Sequence, residues 1–300
     1  MYQQTLFEDD QLSKVINVAS IPQRSPFRYP GGKTWLVPQV RRWLWARKKK
    51  PTELIEPFAG GGIIGLTVAA ESLAKHVTLV ELDDEIAAVW HTMLGKDARW
   101  LVDKILSYKL TREVLYEDLQ TKPKNTREKA FLTVLKNRTF HGGILAPGSG
   151  PLKHGENGKG VASRWYPETL AKRILNIEAM RDRISFIEGD GVEVIWKASS
   201  RSGVAFFIDP PYTADGKKAG RRLYRHFELD HKRLFETVNK IVGDFLMTYD
   251  DAEGVREFAK TQGFDTELVS MKNTHHAKMR ELLIGRDLDW ARGKVMVRSA

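Results

Sequence analysis

The acidic residue Asp209 directly follows an apolar run, residues 204–208, and precedes two prolines and an aromatic residue, Tyr212. A strand that ends in this way presents its acid at the carboxyl end, where the prolines restrict the backbone. The Asp209 carboxylate and the Pro210 carbonyl can then converge on one point, which suits an exocyclic amino group. Tyr212 offers a face on which a planar base can stack. A rigid strand-exit turn is the simpler alternative.

A glycine-rich turn, residues 56–62 (Glu-Pro-Phe-Ala-Gly-Gly-Gly), follows a short strand candidate. Consecutive glycines let a ligand approach backbone where a Cβ would clash, and open α/β sheets bind ligands at strand carboxyl ends. Glu81 ends the next strand, where a carboxylate can accept hydrogen bonds from both hydroxyls of a ribose. The alternatives are a packing turn and a solvated acid. Together the two features leave a nucleoside site and these alternatives about equally supported.

The sequence Gly32-Lys33-Thr34 could be taken for the end of a phosphate-binding P-loop. That motif would require a glycine where Phe27 stands, and no strand is evident just before it. ATP binding by this segment is therefore disfavoured. Thr34 is instead predicted to cap the helix that follows.

The elements that position these motifs form a βαβ unit by their apolar pattern, and such units build parallel sheets with right-handed crossovers. An α/β fold is therefore predicted. The predicted strands cover residues 52–56, 76–81, 184–188, 204–208, 245–249, 266–271 and 281–284. The predicted helices cover residues 63–72 and 84–94 in the βαβ segment and residues 230–242 and 252–261 in the later part of the chain.

Residues 95–183 interrupt this alternation with helical patterns rich in Lys and Arg and with a long glycine-rich loop. Loops of this length are usually functional or disordered. We interpret the region as an inserted, mainly helical subdomain. The predicted organisation is an N-terminal arm over 1–20, a main domain over 21–94 and 184–300, and the insert over 95–183.

The composition limits the class of protein. The chain has 300 residues, 42% of them hydrophobic, and a formal net charge of +10. The absence of cysteine excludes disulfides, thiolate metal sites and cysteine nucleophiles. No signal peptide or membrane span is evident, so a cytoplasmic protein is expected. The excess of positive charge suggests a polyanionic partner such as nucleic acid.

Three motifs taken together carry a resemblance to a known family. Residues 27–33 (Phe-Arg-Tyr-Pro-Gly-Gly-Lys), the glycine-rich turn 56–62 and the Asp-Pro-Pro-Tyr of 209–212 resemble the Dam-like adenine-N6 DNA methyltransferases, in this order along the chain. Residues 187–190 match the acid-ended strand that precedes Asp-Pro-Pro-Tyr in that family, and residues 246–250 and 280–284 resemble its later strands. The resemblance implies a Rossmann-like sheet that binds S-adenosyl-L-methionine, with a target-recognition insert.

The resemblance also implies roles for individual residues. Asp209, Pro210 and Tyr212 would serve the target adenine, and Lys33 would lie near the methionine carboxylate of the cofactor. Glu81 would bind the ribose, and Asp190 would lie near the cofactor adenine. The cofactor-binding residues implied are Tyr29, Lys33, Phe58, Ala59, Gly60, Gly61, Glu81, Asp190 and Asp209.

The insert is expected to contact double-stranded DNA. Asn137-Arg138 resembles an Asn-Arg pair in the recognition region of the family, and Lys153 and Arg164 could contact phosphates. Further cations of the insert are Lys136, Lys159, Lys172 and Arg173. Residues 48–50, three lysines, could touch flanking DNA. A solvated face is the simpler interpretation of any one of these charges.

The chemistry implied is methyl transfer to adenine N6, with the target base swung out of the duplex because its amino group is otherwise paired. No metal is expected, and the pair His275-His276 would point to opposite faces of a strand. Action as a monomer, a cognate restriction endonuclease and a prokaryotic or phage origin are further expectations. Cytosine-N4 or RNA adenine-N6 methylation, or a silent nucleic-acid-binding relative, are the alternatives.

Overall fold

Seven β-strands lie within the part of the chain that the computed structural model describes, residues 21–28, 32–155, 158–211, 229–272 and 278–293. They form one sheet, and the expected α/β fold is confirmed. The strands are β1 (Glu53–Glu56), β2 (His76–Glu81), β3 (Ile184–Glu188), β4 (Val204–Ile208), β5 (Asp244–Asp250), β6 (Asp265–Lys272) and β7 (Lys278–Gly285).

The strand order across the sheet is β3-β2-β1-β4-β5-β7-β6. Strands β1 to β5 are parallel to one another, whereas β7 runs antiparallel to both β5 and β6. The chain order reverses between β1 and β4, since one set of crossovers leads towards β3 and the other towards β5. In open α/β sheets such a reversal leaves a crevice at the strand carboxyl ends. Glu56 of β1 and Asp209 after β4 both lie at this point.

The same described part of the chain contains ten α-helices. They are α1 (Val37–Ala46), α2 (Ile63–Ala70), α3 (Asp84–Leu94), α4 (Ala98–Ser107), α5 (Arg112–Gln120), α6 (Thr126–Thr139), α7 (Pro167–Glu178), α8 (Gly191–Ala198), α9 (His231–Asn239) and α10 (Glu253–Thr261). Side chains cap several of them. Asp83, for example, accepts hydrogen bonds from the N–H groups of Glu85 and Ile86 at the start of α3.

One local prediction is corrected by the structure, and one helix is found that was not predicted. Thr34 does not cap a helix, because it lies inside a 3₁₀ helix, Lys33–Leu36, whose N-cap is Gly32. Helix α1 begins after it with Pro38 in the first turn, where a missing N–H costs nothing. Helix α8 was not predicted, since its short sequence is rich in residues that favour strands. Asp190 accepts hydrogen bonds from two N–H groups at its start.

Helices α4 to α7 come from the region predicted as an insert, and none of its described residues adds a strand to the sheet. The helices do not form a separate core. Phe131 and Leu135 of α6 and Ile174 of α7 belong to the same apolar cluster as Leu79 of β2 and Trp90 of α3. The helical region therefore packs on α3, which itself lies against β2 and β3. The division into domains at 95 and 183 remains a prediction.

Helix α8 packs closely on the turn after β1, and this contact generates a test. A Cβ built on Gly191 would stand 2.1 Å from the Pro57 carbonyl oxygen, a backbone atom that cannot move aside cheaply. We expect Gly191→Ala to lower the free energy of unfolding by about 1–3 kcal/mol through overpacking. Urea unfolding monitored by circular dichroism measures the change.

The matched control lies two residues earlier in the same loop. A Cβ on Gly189 would meet nothing nearer than the Ile187 Cγ2 atom at 3.8 Å, which is an ordinary contact. Gly189→Ala should change stability by less than about 0.5 kcal/mol. Equal losses in the two variants would contradict the proposed packing of α8 on Pro57.

Candidate active site

A cavity of about 540 Å³ opens at the carboxyl edge of the sheet. Its floor comes from the residues that directly follow β1 to β4, and its other walls come from residues 23–28, from Gly32 to Thr34 and from the helical region. Among the residues predicted for the site, those that line it are Lys33, Phe58, Ala59, Gly61, Glu81, Arg138, Asp190 and Asp209. The tertiary structure therefore brings together three motifs that lie far apart in the sequence.

The glycine-rich turn after β1 is shaped by its neighbours. The N–H of Ala59 donates to the carbonyl of Val80 at 2.9 Å, and the indole of Trp90 donates to the carbonyl of Gly60 at 3.0 Å. Gly62 has a φ of +61°, which L side chains rarely adopt, and a Cβ there would stand 2.7 Å from the Trp90 ring. Gly61 lines the cavity, whereas Gly60 faces Glu81.

Glu81 joins this turn to the turn after β2. Its Oε2 accepts from the N–H of Gly60 at 2.8 Å, and its Oε1 accepts from those of Leu82 and Asp83 at 2.8 and 2.9 Å. Burial raises the pKa of Glu81 although these three bonds favour the carboxylate. A carboxylate has about four acceptor positions, so about one remains for a hydroxyl at the cavity. The prediction that it accepts from two hydroxyls thus has little room.

Asp209 lies where β4 ends, with its side chain 21% exposed towards the cavity. Its Oδ1 accepts from the hydroxyl of Thr248 on β5 at 2.8 Å and from Lys33 Nζ at 2.9 Å. Pro210 is buried, and Pro211 lines the cavity. The carboxylate is therefore held rigidly from two sides. Tyr212 and Tyr29 lie outside the described residues, and their predicted roles stay predictions.

Lys33 is only 5% exposed, although it is a lysine. Its ammonium contacts Asp209 Oδ1 and Glu281 Oε1, both at 2.9 Å. Burial opposes the charge, but the two carboxylates outweigh burial and raise the pKa of Lys33 above its ordinary value. The lysine is therefore charged and is held by two protein carboxylates. Its predicted contact with a cofactor carboxylate is not tested by this arrangement.

Asp190 combines two positions, at the cavity wall and at the start of α8. Its Oδ1 accepts from the N–H of Val192 at 2.7 Å and from that of Glu193 at 3.4 Å. An acid at this place is thus fixed by the helix it caps. Its remaining acceptor positions are available at the cavity wall. Its place near the cofactor adenine stays a prediction.

Asn137 and Arg138 at the end of α6 lie inside the protein. Asn137 is 1% exposed, accepts from the N–H of Arg28 and donates to the carbonyls of Arg28 and Gly143, all at 2.8 Å. Arg138 donates to the Pro26 carbonyl, and burial together with the charges of Arg173 and Arg28 lowers its pKa. Asn137 therefore holds in place the part of the cavity wall formed by Arg28 and Gly142, which we call the cavity roof. Only Arg138 of the pair lines the cavity.

The other predicted DNA-contacting cations differ in exposure. Lys153, Lys159 and Lys172 are exposed, and Arg164 is half-buried. Lys136 is paired with Glu85 at 2.7 Å. Residues 48–50 lie near the amino-terminal ends of the strands, opposite the cavity. The evidence is that the preceding residue, Arg47, pairs with Asp244, the first residue of β5. These lysines are thus remote from the cavity mouth.

Two site residues were missed by sequence reasoning, Thr248 and Glu281. Both lie in segments predicted only as strands. The available signal was a polar residue within an apolar strand, since a buried polar group needs a partner. No cluster of three or more potential metal ligands exists among the described residues, and none of the described helices could cross a membrane. The pair His275-His276 lies outside the described residues.

Comparison with known proteins adds the following. The family model for D12 class N6 adenine-specific DNA methyltransferases matches residues 29–276, which is well over half of the chain. No curated protein matches the sequence. Among solved structures, the rRNA methyltransferase aviRa from Streptomyces viridochromogenes is 12% identical with a TM-score of 0.41, over 95% of this chain and 99% of that chain. A SAM-dependent methyltransferase from Agrobacterium tumefaciens is 10% identical with a TM-score of 0.38, over 84% of this chain and 61% of that chain.

Glu56, at the end of β1, makes stability depend on pH. Complete burial raises its pKa to about 8, and the nearby charge of Asp209 adds to this, although the Gly65 N–H donates to it at 2.6 Å. The folded state therefore holds a proton that the unfolded state releases above its ordinary pKa of 4.5. Stability should fall as pH rises from about 4.5 to about 8.

The variant Glu56→Gln is neutral at every pH and keeps an acceptor for Gly65. We expect it to be more stable than wild type at pH 8 by roughly 1–3 kcal/mol and about equal at pH 5. Urea unfolding at pH 5, 6.5 and 8 measures this difference. Glu236→Gln, on the exposed face of α9, is the control. A difference between Glu56→Gln and wild type that does not grow with pH would contradict the assignment.

Proposed function

Because this chain belongs to the D12 class N6 adenine-specific DNA methyltransferase family, we propose that it methylates N6 of an adenine swung out of duplex DNA. The methyl donor is S-adenosyl-L-methionine, and the resemblance deduced from the sequence is confirmed. The observation that carries the finer proposal is the Asp209 carboxylate, which two neighbours hold at the edge of a cavity between β1 and β4.

The residues of the cavity fit this cofactor. Glu81 has an acceptor position for a sugar hydroxyl, and Gly61 of the glycine turn lines the same cavity. Phe58 and Leu82 offer apolar surface for a purine ring, and Asp190 offers an acceptor for its amino group. A volume of about 540 Å³ lies in the ordinary range for small-molecule sites. When bound, the cofactor supplies an electrophilic methyl group on a sulfonium.

Asp209 would then act on the amine that receives the methyl group. The lone pair of adenine N6 is delocalised into the ring, so the amine is a poor nucleophile. A hydrogen bond from N6–H to Asp209, with a second to the Pro210 carbonyl, would localise the lone pair and offset the positive charge that grows on N6. Tyr212 would stack on the base. Positioning of the amine would supply much of the remaining rate.

Access to the amine requires the base to leave the helix stack, and the surroundings of the cavity favour a nucleic acid. The net charge of the chain is +10. Gly142, in the loop after α6, lines the cavity, and Lys153 lies exposed in the same loop. An exposed cation on a loop that also lines the cavity suits the phosphates that flank a displaced nucleotide. Action as a monomer and a partner restriction endonuclease remain predictions.

Expression in a host that lacks adenine methylation tests the function directly. Single-molecule sequencing of the host DNA reads the modified base, its position and its sequence context together. Nucleoside mass spectrometry of hydrolysed DNA and RNA separates N6-methyladenine from N4-methylcytosine. Methyladenine in DNA is the expected product. Methylcytosine alone, or methyladenine in RNA alone, would replace the proposal.

The variant Asp209→Ala tests the acid. We expect turnover to fall by roughly 10²–10³-fold, since one preorganised partner of the developing charge is lost. Folding should persist because Lys33 keeps its contact with Glu281, and cofactor affinity should change little. Tritium transfer from labelled cofactor gives the rate, and calorimetry gives the affinity. Asp103→Ala, at an exposed site on α4, is the control. Near-normal turnover would remove Asp209 from the mechanism.

The salt dependence of DNA binding tests the basic face. Affinity for duplex DNA should fall by about 10³-fold between 50 and 200 mM salt if about six phosphates are contacted. Lys153→Ala should reduce the slope of log affinity against log salt by about one. Lys49→Ala is the matched control because Lys49 lies near the amino-terminal ends of the strands, on the side of the sheet opposite the cavity. Fluorescence anisotropy measures both slopes, and equal effects of the two substitutions would count against this face.

A further inference from the structure

Glu281 is a buried acid to which the sequence assigns no role beyond a place in a strand. It lies on β7, opposite Asp250 of β5 and Val269 of β6, and is 4% exposed. A fully apolar residue would pack at such a position without cost, whereas an ionised carboxylate must be paired there. The Glu281 carboxylate therefore needs a partner of opposite charge at this position.

The partner of Glu281 is Lys33. Glu281 Oε1 and Asp209 Oδ1 each stand 2.9 Å from Lys33 Nζ. Lys33 and Asp209 line the cavity, but Glu281 does not. The Glu281 carboxylate therefore contacts the cavity lining at Lys33 without lining the cavity itself.

The charges explain what this arrangement does. A buried ammonium with a single carboxylate would neutralise that carboxylate, and Asp209 would then be a weaker acceptor for a substrate N–H. Two carboxylates around one ammonium leave a net negative charge next to the cavity. The second carboxylate also opposes the desolvation that would strip the proton from a buried lysine.

We propose that Glu281 is a positioning residue of the methyl transfer, which holds the Lys33 ammonium in place so that Asp209 stays oriented and negatively charged towards the amine. This inference rests on the proposed function. The charged and titratable groups around the centre are Asp209 and Glu281 against Lys33, with Glu56 of β1 and Tyr249 of β5 close enough to Asp209 to feel its charge.

The variant Glu281→Gln keeps the size of the side chain and removes its charge. We expect kcat to fall about tenfold at pH 7, while KM for DNA and cofactor changes by less than about threefold. The ratio of variant to wild-type kcat should fall further, to about one hundredth, between pH 7 and 9.5. The reason is that Lys33 loses one of the two carboxylates that oppose burial. It therefore loses its proton more easily, and a neutral Lys33 no longer holds the Asp209 carboxylate in place.

Two further variants separate positioning from stability. Glu281→Asp keeps the charge and should restore a ratio that is independent of pH, even if the rate recovers only in part. Glu267→Gln makes the same substitution on the neighbouring strand β6, where Glu267 pairs with Arg292 at 2.8 Å outside the cavity. It should affect unfolding and leave kcat within about twofold. A kcat ratio near one for Glu281→Gln at all pH values would overturn the proposal.

A second measurement does not depend on activity. NMR of protein labelled at lysine Cε follows the titration of Lys33, whose signal is identified by its loss in Lys33→Arg. The pKa of Lys33 should fall by at least one unit in Glu281→Gln relative to wild type. An unchanged titration would overturn the proposal even if wild type methylated DNA. If the pKa of Lys33 falls in Glu281→Gln but the wild type makes no methyladenine, the proposed function is wrong. The conclusion that Glu281 holds the Lys33 ammonium in place would then still stand.

Discussion

One buried ammonium, shared by two carboxylates, organises the carboxyl edge of this sheet. Lys33 comes from the segment before α1, Asp209 from the end of β4 and Glu281 from β7. Each of these elements would bury an unpaired charge without the others, which costs far more than a missing apolar contact. The electrostatic requirement therefore fixes the position of three separate segments, and it explains why the reactive acid has so little freedom.

The rest of the cavity is held together mainly by hydrogen bonds that involve backbone groups. Glu81 accepts hydrogen bonds from three N–H groups of two turns, and the Trp90 indole donates one to the Gly60 carbonyl of the glycine turn. These contacts rigidify the part of the cavity that suits the cofactor, while Asp209 and Lys33 define the part that suits an amine. Glu56 lies between them and is held protonated near neutral pH by its burial. A proton there reduces repulsion with Asp209.

The helical region joins the active site more closely than an appended recognition module would. Asn137 of α6 binds both the N–H and the carbonyl of Arg28, and it also binds the carbonyl of Gly143 in the following loop. The roof of the cavity and the loop that carries Lys153 are thereby tied to one helix.

The order of elements and the three motifs could be deduced from the sequence, because apolar periodicity and residues such as Pro210 and Gly62 act locally on the backbone. The strands β2, β3 and β4 fell where their patterns placed them. The partners of the charged groups could not be deduced, because they depend on contacts between segments remote in sequence, such as Lys33 and Glu281. Only the tertiary structure decided that Asn137 is buried and bonded to Arg28 and Gly143. It also decided that residues 48–50 lie near the amino-terminal ends of the strands, opposite the cavity. Burial, which sets the cost of each charge, is a property of the folded sheet and its covering helices, and no single segment contains it.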